Sequence, residues 1–148
     1  MFFAQFLHIA GFTIWVGGMF FAYMALRPIA ASCLDAEPRL RLWTGVLEKF
    51  FFWVWLSVAA ILFSGLYLMA HIGRPPVHVS IMFITGIIMM AIFAHVFFAP
   101  FQRLRKAVSA NEWAAGASAL SQIRTFVGIN LILGLVTIAT GSLGRMFL

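Results

Sequence analysis

Residues 80–100 read SIMFITGIIMMAIFAHVFFAP, a stretch with no acidic or basic residue and one imidazole, His95. A helix needs about 20 apolar residues to cross the hydrocarbon core of a bilayer, so this stretch predicts a membrane-spanning helix. Similar stretches predict four spans, at about residues 3–26, 44–70, 79–101 and 124–144 of one domain that covers residues 1–148. The apolar runs are continuous and lack period-two alternation, which excludes an outer-membrane barrel. The predicted fold is all-α, an integral membrane four-helix bundle.

The composition of the whole chain leads to the same class. Of its 148 residues 64% are hydrophobic and 9% are charged, and the mean hydropathy is +1.03. A water-soluble domain of this composition could not cover its apolar surface, so the expected surroundings are a lipid bilayer. The net charge of +6 is spread over positions that flank the spans, which favours anionic lipid headgroups and predicts no nucleic-acid partner.

The basic residues predict how the chain lies in the membrane. Eight of the ten Lys and Arg residues flank one face of the predicted bundle, and Arg74 and Arg145 remain for the other. The eight are Arg27, Arg39, Arg41, Lys49, Arg103, Arg105, Lys106 and Arg124. Under the positive-inside rule the eight face the cytoplasm, so both termini are expected outside.

The cytoplasmic side is expected to carry helical extensions of the second and third spans. The third span should run on through residues 102–106, and apolar residues at helical spacing over 113–123 predict a short amphipathic helix at the interface. Arg124 follows that helix, and because acids are few it is expected to pair with Glu48 or Glu112.

The first span carries an imidazole on a face of small residues. Ala4, His8, Gly11, Trp15, Gly18 and Ala22 follow steps of four and three, which places them on one side of a helix. Small faces pack inward in membrane bundles, so His8 is predicted inside the bundle. An ionisable group there is usually functional, and the alternative is a neutral histidine bonded to a neighbouring helix.

Further imidazoles and a thioether are expected at the same outer level. His71 and His78 flank the loop between the second and third spans, and Met82 lies one helical turn after His78. Imidazole and thioether donors without a carboxylate suit Cu(I) and exclude calcium or magnesium. The alternatives are that Met82 fills space in the core and that the loop histidines are simply solvated.

Two polar residues lie deeper. His95 is about 25 Å from His78 along an ideal helix, so it cannot share the outer site, and a hydrogen-bonded or proton-handling role is predicted for it. Asn130 heads a face that continues with Gly134, Thr137 and Gly141, and this face is predicted to pack against another helix. The Asn130 amide can bond a backbone carbonyl or a ligand across the bundle.

With these residues in view, the chain resembles a known membrane family. The segments LHI at residues 7–9 and IWVGGMFF at 14–21 look like the first helix of the copper-resistance D (CopD) family. Weaker likenesses to short bacterial members are Ser64-Gly65, His95 with the basic tail after it, and the stretch from Ile123 to Gly141.

The resemblance implies a role in moving copper through a bacterial inner membrane. In that family His and Met near the outer face are the expected ligands, which would assign the role to His8, with a periplasmic copper carrier as a partner. Longer members have about twice as many helices, which suggests a homodimer here.

A related family, the haem-binding protoporphyrinogen oxidases, implies a different function. It shares the first-helix histidine but pairs it with a lysine near the start of the third helix, and the third span here has no lysine. A haem b site would therefore need His71 or His78 as the second axial ligand with His8. Three functions stay open: Cu(I) handling, a b-type haem protein in electron transfer or porphyrin oxidation, and a structural membrane subunit.

Overall fold

The computed structural model describes residues 1–144, and its long elements are all helices. They are α1 (Phe2–Phe21), α2 (Arg27–Cys33), α3 (Ala36–Ile72), α4 (Val77–Phe98), α5 (Pro100–Ser109) and α6 (Trp113–Leu143), with a π-helical turn at Ala22–Leu26. Residues 1–144 contain no strand, so the all-α prediction is confirmed. Arg145, expected on the outer side, lies outside the described residues.

Four helical stretches are long and apolar enough to cross a membrane, as predicted. They are Phe2–Cys33, Ala36–Ile72, Val77–Ser109 and Trp113–Leu143. Large apolar side chains such as Phe3, Phe63 and Ile132 point away from the bundle and remain exposed. In a bilayer these side chains would face lipid, so the helices associate through close packing rather than through removal of apolar surface from water.

Two helix pairs make up the bundle. In the first, α1 packs along α3, and a Cβ at Gly11 would come within 3.1 Å of the Ser57 carbonyl oxygen. In the second, α4 packs along α6, where a Cβ at Gly134 would lie 3.4 Å from Met89 Cε of α4. The same Cβ would come within 2.8 Å of a Val16 methyl. Because Val16 belongs to α1, Gly134 is also where the two pairs meet.

The third span does not continue as one helix, contrary to the prediction. It ends at Phe98, and Ala99 adopts φ −113° and ψ −83° before α5 begins at Pro100. Proline has no N–H to donate and disfavours helical geometry in the residue before it, so the chain bends there. Residues 102–106 therefore lie in a separate helix.

The amphipathic segment at 113–123 also differs from the prediction. It is the first part of α6 and not a separate helix at the membrane surface. Its buried residues are Gly116, Ala119 and Ile123, and a Cβ at Gly116 would lie 3.3 Å from Leu40 and 3.7 Å from Ala107. This face is thus covered by α3 and α5 instead of by lipid.

We call the end that holds the α2–α3 and α5–α6 connections the basic end. There Arg105 lies 3.7 Å from Glu48, and Arg41 lies 3.1 Å from Glu37. Glu48 therefore pairs with Arg105 of α5 rather than with Arg124, which is exposed. In the part of the chain that is described, Arg124 forms no ion pair.

We call the opposite end, with the α3–α4 connection at residues 73–76, the histidine end. It also holds the first turns of α1. The 37 residues of α3 span roughly 55 Å at the helical rise, well beyond a hydrocarbon core of about 30 Å. The helix therefore has the length to project at the basic end, where its charged residues lie.

Candidate functional site

His8 lies half-buried between α1 and α3 near the histidine end. Its Nδ1 is 3.1 Å from the hydroxyl oxygen of Ser64 on α3. The next residue, Gly65, leaves space for the ring, since a Cβ there would come within 3.1 Å of His8 Cε1. Ser64 and Gly65 therefore form the contact surface for the imidazole, which we call the seat of His8: Ser64 supplies a hydroxyl, and Gly65 has no side chain to block the ring.

The hydrogen bonds of Ser64 determine which nitrogen of His8 carries the proton. The Ser64 hydroxyl has a single proton, which it donates to the backbone carbonyl of Ala60, one turn earlier in α3. The Ser64 oxygen is then an acceptor for His8, so the Nδ1–H of His8 donates. In a neutral imidazole this arrangement leaves a lone pair on Nε2, which is the form that binds metals.

An open groove lies beside this pair, between α1 and α3. Its volume is about 470 Å³, and Ala4, Leu7, Phe63, Ser64 and Tyr67 are among the residues that line it. The lining is mostly apolar, and Ser64 brings the hydroxyl that holds His8 to its wall. His8 is not among the lining residues, so a ligand in this groove would contact Ser64 rather than the imidazole itself.

His78 and Met82 lie on the other helix pair. They are one turn apart on α4 and face the end of α6, where a Cβ at Gly144 would come within 2.5 Å of His78 Cβ. Gly141 is close to Met82 in the same way, at 3.0 Å from its Cε. Residues four apart share a helix face, so these two donors can reach one ion.

His71 is exposed at the end of α3. Its Nδ1 donates to the Tyr67 carbonyl at 2.8 Å, and its ring lies 4.2 Å from the Tyr67 ring, centroid to centroid. His71 is seven residues beyond Ser64, or about 10 Å along the helix. It therefore lies two turns further out than the contact between His8 and α3.

The predicted donors are thus divided between the two helix pairs. Within residues 1–144 no three His, Cys, Asp or Glu side chains come together in a group that could hold a metal ion. The structure pairs His8 with Ser64, and it places His78 next to Met82. It leaves His71 at the surface.

The deeper predicted residues have distinct surroundings. His95 is exposed and meets Phe126 edge-on, with 4.9 Å between ring centroids; the hydrogen bonds of the described residues include none from its ring. Asn130 is buried and donates from Nδ2 to the Met89 carbonyl at 3.1 Å. Trp15 is buried too, and its ring meets that of Phe93 edge-on.

The contact between His8 and Ser64 was not foreseen from the sequence. One face of α3 carries Ser57, Ser64 and His71 at heptad spacing, but which of them meets His8 depends on how α1 and α3 are aligned. Gly65, the small residue beside Ser64, could have indicated the contact, because a glycine makes room for a large ring from another helix.

Comparisons with known proteins give one match. The family described as Copper resistance protein D matches residues 44–143, about two thirds of the chain. The matched range runs from within α3 nearly to the end of α6, and His8 lies before it. Neither the curated proteins nor the solved structures include a match to this chain.

Proposed function

The chain belongs to the copper-resistance D family, and from this we propose that it handles copper in the membrane by binding Cu(I) near the histidine end. The binding would serve copper uptake or homeostasis. The family membership and the four membrane-length helices support a multi-pass copper-resistance protein. The proposed ligands rest on the side chains described above.

The observation that carries this proposal is the seat of His8. Ser64 holds the ring through Nδ1 at 3.1 Å, which leaves the lone pair of Nε2 for a metal. A hydrogen bond to the second nitrogen is the usual way in which proteins orient a histidine ligand. An imidazole inside a membrane bundle is costly unless it has such a use.

The adjacent donors His78 and Met82 favour Cu(I) over other metals. Nitrogen and thioether sulfur are soft ligands, and among residues 1–144 no Asp or Glu side chain lies at this end. We propose that His78 and Met82 accept the ion at the histidine end, with His71 at the surface as a further donor. His8 then binds it within the bundle.

Replacement of His8 tests the proposal. We expect His8→Ala to lower the Cu(I) bound by purified protein under anaerobic conditions by at least about tenfold, the scale of a disturbed ligand shell. His95→Ala is the control, because His95 lies far along the bundle and should leave binding unchanged. Wild-type copper content in a folded His8→Ala protein would contradict the proposal, and loss only in His95→Ala would place the site at the basic end.

The groove beside His8 favours haem b as a second candidate. Its volume of about 470 Å³ and its apolar lining suit a flat, apolar group. His8 would be one axial ligand and His71 or His78 the other, although none of the three lines the groove, and the haem ring would have to extend beyond it to reach them. The absorption spectrum of freshly purified protein separates the candidates, since haem gives a Soret band and Cu(I) is colourless.

We also propose a bacterial inner membrane location with both termini in the periplasm. Lys and Arg residues gather at the basic end, which the positive-inside rule assigns to the cytoplasm together with the extension of α3. A cysteine at Gly73 should then react with an impermeant reagent from the periplasmic side. Reaction from the cytoplasmic side alone would reverse the orientation and with it the proposed copper entry.

The proposed partners are a second copy of the chain and a periplasmic copper carrier. Large apolar side chains such as Phe2 and Phe63 are exposed on the bundle, and a homodimer would cover part of this surface. Crosslinking in native membranes should yield a dimer. A monomer alone at physiological expression would argue against the homodimer.

A further inference from the structure

Two arginines mark the ends of two apolar spans at the basic end. Arg27 is the first residue of the chain with a charged side chain, because residues 1–26 contain no Lys, Arg, Asp or Glu. Arg124 comes directly before residues 125–144, which are equally free of these four residue types. Both arginines therefore lie at the level where the hydrocarbon core of a bilayer meets the lipid headgroups.

The packing of α1 against α6 brings these two arginines to one place. The helices run in opposite directions, since α1 begins at the histidine end and α6 begins at the basic end. They touch where a Cβ at Gly128 would lie 3.2 Å from Tyr23 Cε2. Arg27 is four residues after Tyr23, and Arg124 is four residues before Gly128. Each arginine thus lies about one helical turn from this contact, on the side of the basic end.

Tyr23 holds the Arg27 side chain beside α6. The Cζ atom of Arg27 lies 4.9 Å from the centroid of the Tyr23 ring, a cation–π contact. Tyr23 belongs to the π-helical turn Ala22–Leu26, and such turns inside helices are frequent at functional sites. Arg27 is half-buried while Arg124 is exposed. The two arginines therefore border an accessible position between the helix pairs.

Within residues 1–144 neither arginine has a carboxylate partner. The salt bridges of this part of the chain join Glu37 to Arg41 and Glu48 to Arg105. Two neighbouring cations repel each other, and this repulsion is strongest where the surroundings exclude water. An anion between Arg27 and Arg124 would remove the repulsion and would be attracted by both.

We propose that Arg27 and Arg124 together bind the phosphate headgroup of an anionic phospholipid in the leaflet at the basic end. The planar guanidinium group matches phosphate oxygens with two parallel hydrogen bonds. Basic pockets between membrane helices on the cytoplasmic side suit anionic lipid headgroups, and the cytoplasm is the side proposed for the basic end. This inference does not depend on copper binding, because His8 lies at the opposite end.

The apolar residues next to the site favour a lipid over a free phosphate ion. Phe20 lies about one turn before Tyr23, and Ile132 lies about one turn after Gly128, both towards the middle of the membrane. Both side chains are exposed. They therefore offer apolar surface to the acyl chains of a lipid whose headgroup lies between the arginines.

Native mass spectrometry of the full chain in detergent measures lipid binding directly. We expect the wild type to bind one phosphatidylglycerol more tightly than phosphatidylcholine with the same acyl chains. Arg27→Gln and Arg124→Gln should each lower the affinity for phosphatidylglycerol by about fivefold, the effect of one basic residue at an anionic membrane surface. Arg103→Gln is the matched control, since it removes the same charge at the basic end but Arg103 already donates to Gln122.

Three results would overturn the site. They are wild-type affinity in folded Arg27→Gln and Arg124→Gln, an equal loss in Arg103→Gln, and equal affinity of the wild type for phosphatidylcholine. Excess inorganic phosphate should leave the lipid bound. Its displacement by phosphate would assign the two arginines to a free anion and contradict the lipid.

Thermal unfolding in detergent provides a second readout. Arg27 follows α1 of one helix pair and Arg124 lies on α6 of the other, so a lipid bound to both would connect the pairs. Added phosphatidylglycerol should therefore raise the unfolding temperature of the wild type and of Arg103→Gln, but not that of Arg124→Gln. Arg124 is exposed, so this variant should fold even if Arg27→Gln does not. An equal rise in Arg124→Gln would contradict the proposal.

Discussion

The two helix pairs use small and polar residues in different ways. Between α4 and α6 the hydroxyls of Thr85 and Thr137 lie 3.0 Å apart, and each is also within hydrogen-bond distance of a carbonyl of its own helix. Between α1 and α3 the imidazole of His8 uses Nδ1 on Ser64 and keeps Nε2. The threonine hydroxyls use their hydrogen bonds on each other and on their own helices, whereas His8 keeps the lone pair of Nε2 for a ligand.

This difference separates polar residues that pack from polar residues that can bind. A hydroxyl inside a membrane bundle can always return to a carbonyl one turn back, so its presence says little about function. An imidazole cannot bond a carbonyl of its own helix with both ring nitrogens at once. The same reasoning applies to Asn130, whose amide nitrogen is bonded while its oxygen is not.

The largest expected effect tests whether small residues hold the two helix pairs together. We expect Gly134→Val to destabilise the protein by about 1–3 kcal/mol, because the added Cβ would lie 2.8 Å from the stiff side chain of Val16. Gly86→Val on α4 is the control, since a Cβ there meets nothing within 4 Å. Unfolding in mixed detergent micelles measures both, and equal stability of the two variants would contradict the packing described here.

A smaller effect is expected from the residue that orients His8. Ser64→Ala removes the acceptor for Nδ1–H, so the ring loses its fixed orientation and copper affinity should fall by up to about tenfold. Ser57→Ala, one heptad away on the same face of α3, should bind copper like the wild type. Anaerobic titration against a competing chelator measures both affinities. Identical values for the two variants would show that Ser64 does not position the ligand.

The helices were predictable because a bilayer imposes a simple requirement on sequence. Each crossing needs about 20 apolar residues, and the runs around residues 80–100 and elsewhere meet this requirement. The break at Ala99 was missed because an apolar run continues across it, although Pro100 was the available signal. A helix at residues 113–123 was predicted, but its packing was not, because an apolar face indicates burial without showing whether lipid or α5 covers it.

The site was less predictable than the fold. The face of His8 followed from the spacing of Gly11 and Gly18, because small residues mark a contact. Which residue of α3 meets His8 depends on the register between α1 and α3. The periodicity within one helix carries no information about that register. For the same reason His8, His78 and Met82 were expected together, although the structure places them on separate helix pairs.

The smallest expected effect concerns the hydroxyl pair between α4 and α6. Thr85 and Thr137 have two protons for three contacts: one with each other and one with a carbonyl of each helix, Ile81 and Leu133. One hydroxyl must therefore give up its own helix carbonyl in order to donate across the interface. A double-mutant cycle of Thr85→Val and Thr137→Val should give a coupling of about 0.6 kcal/mol, the average between membrane helices. A coupling above about 1.7 kcal/mol, the upper end of that range, would show that this bond holds the pair together and that α4 and α6 do not rely mainly on small-residue packing.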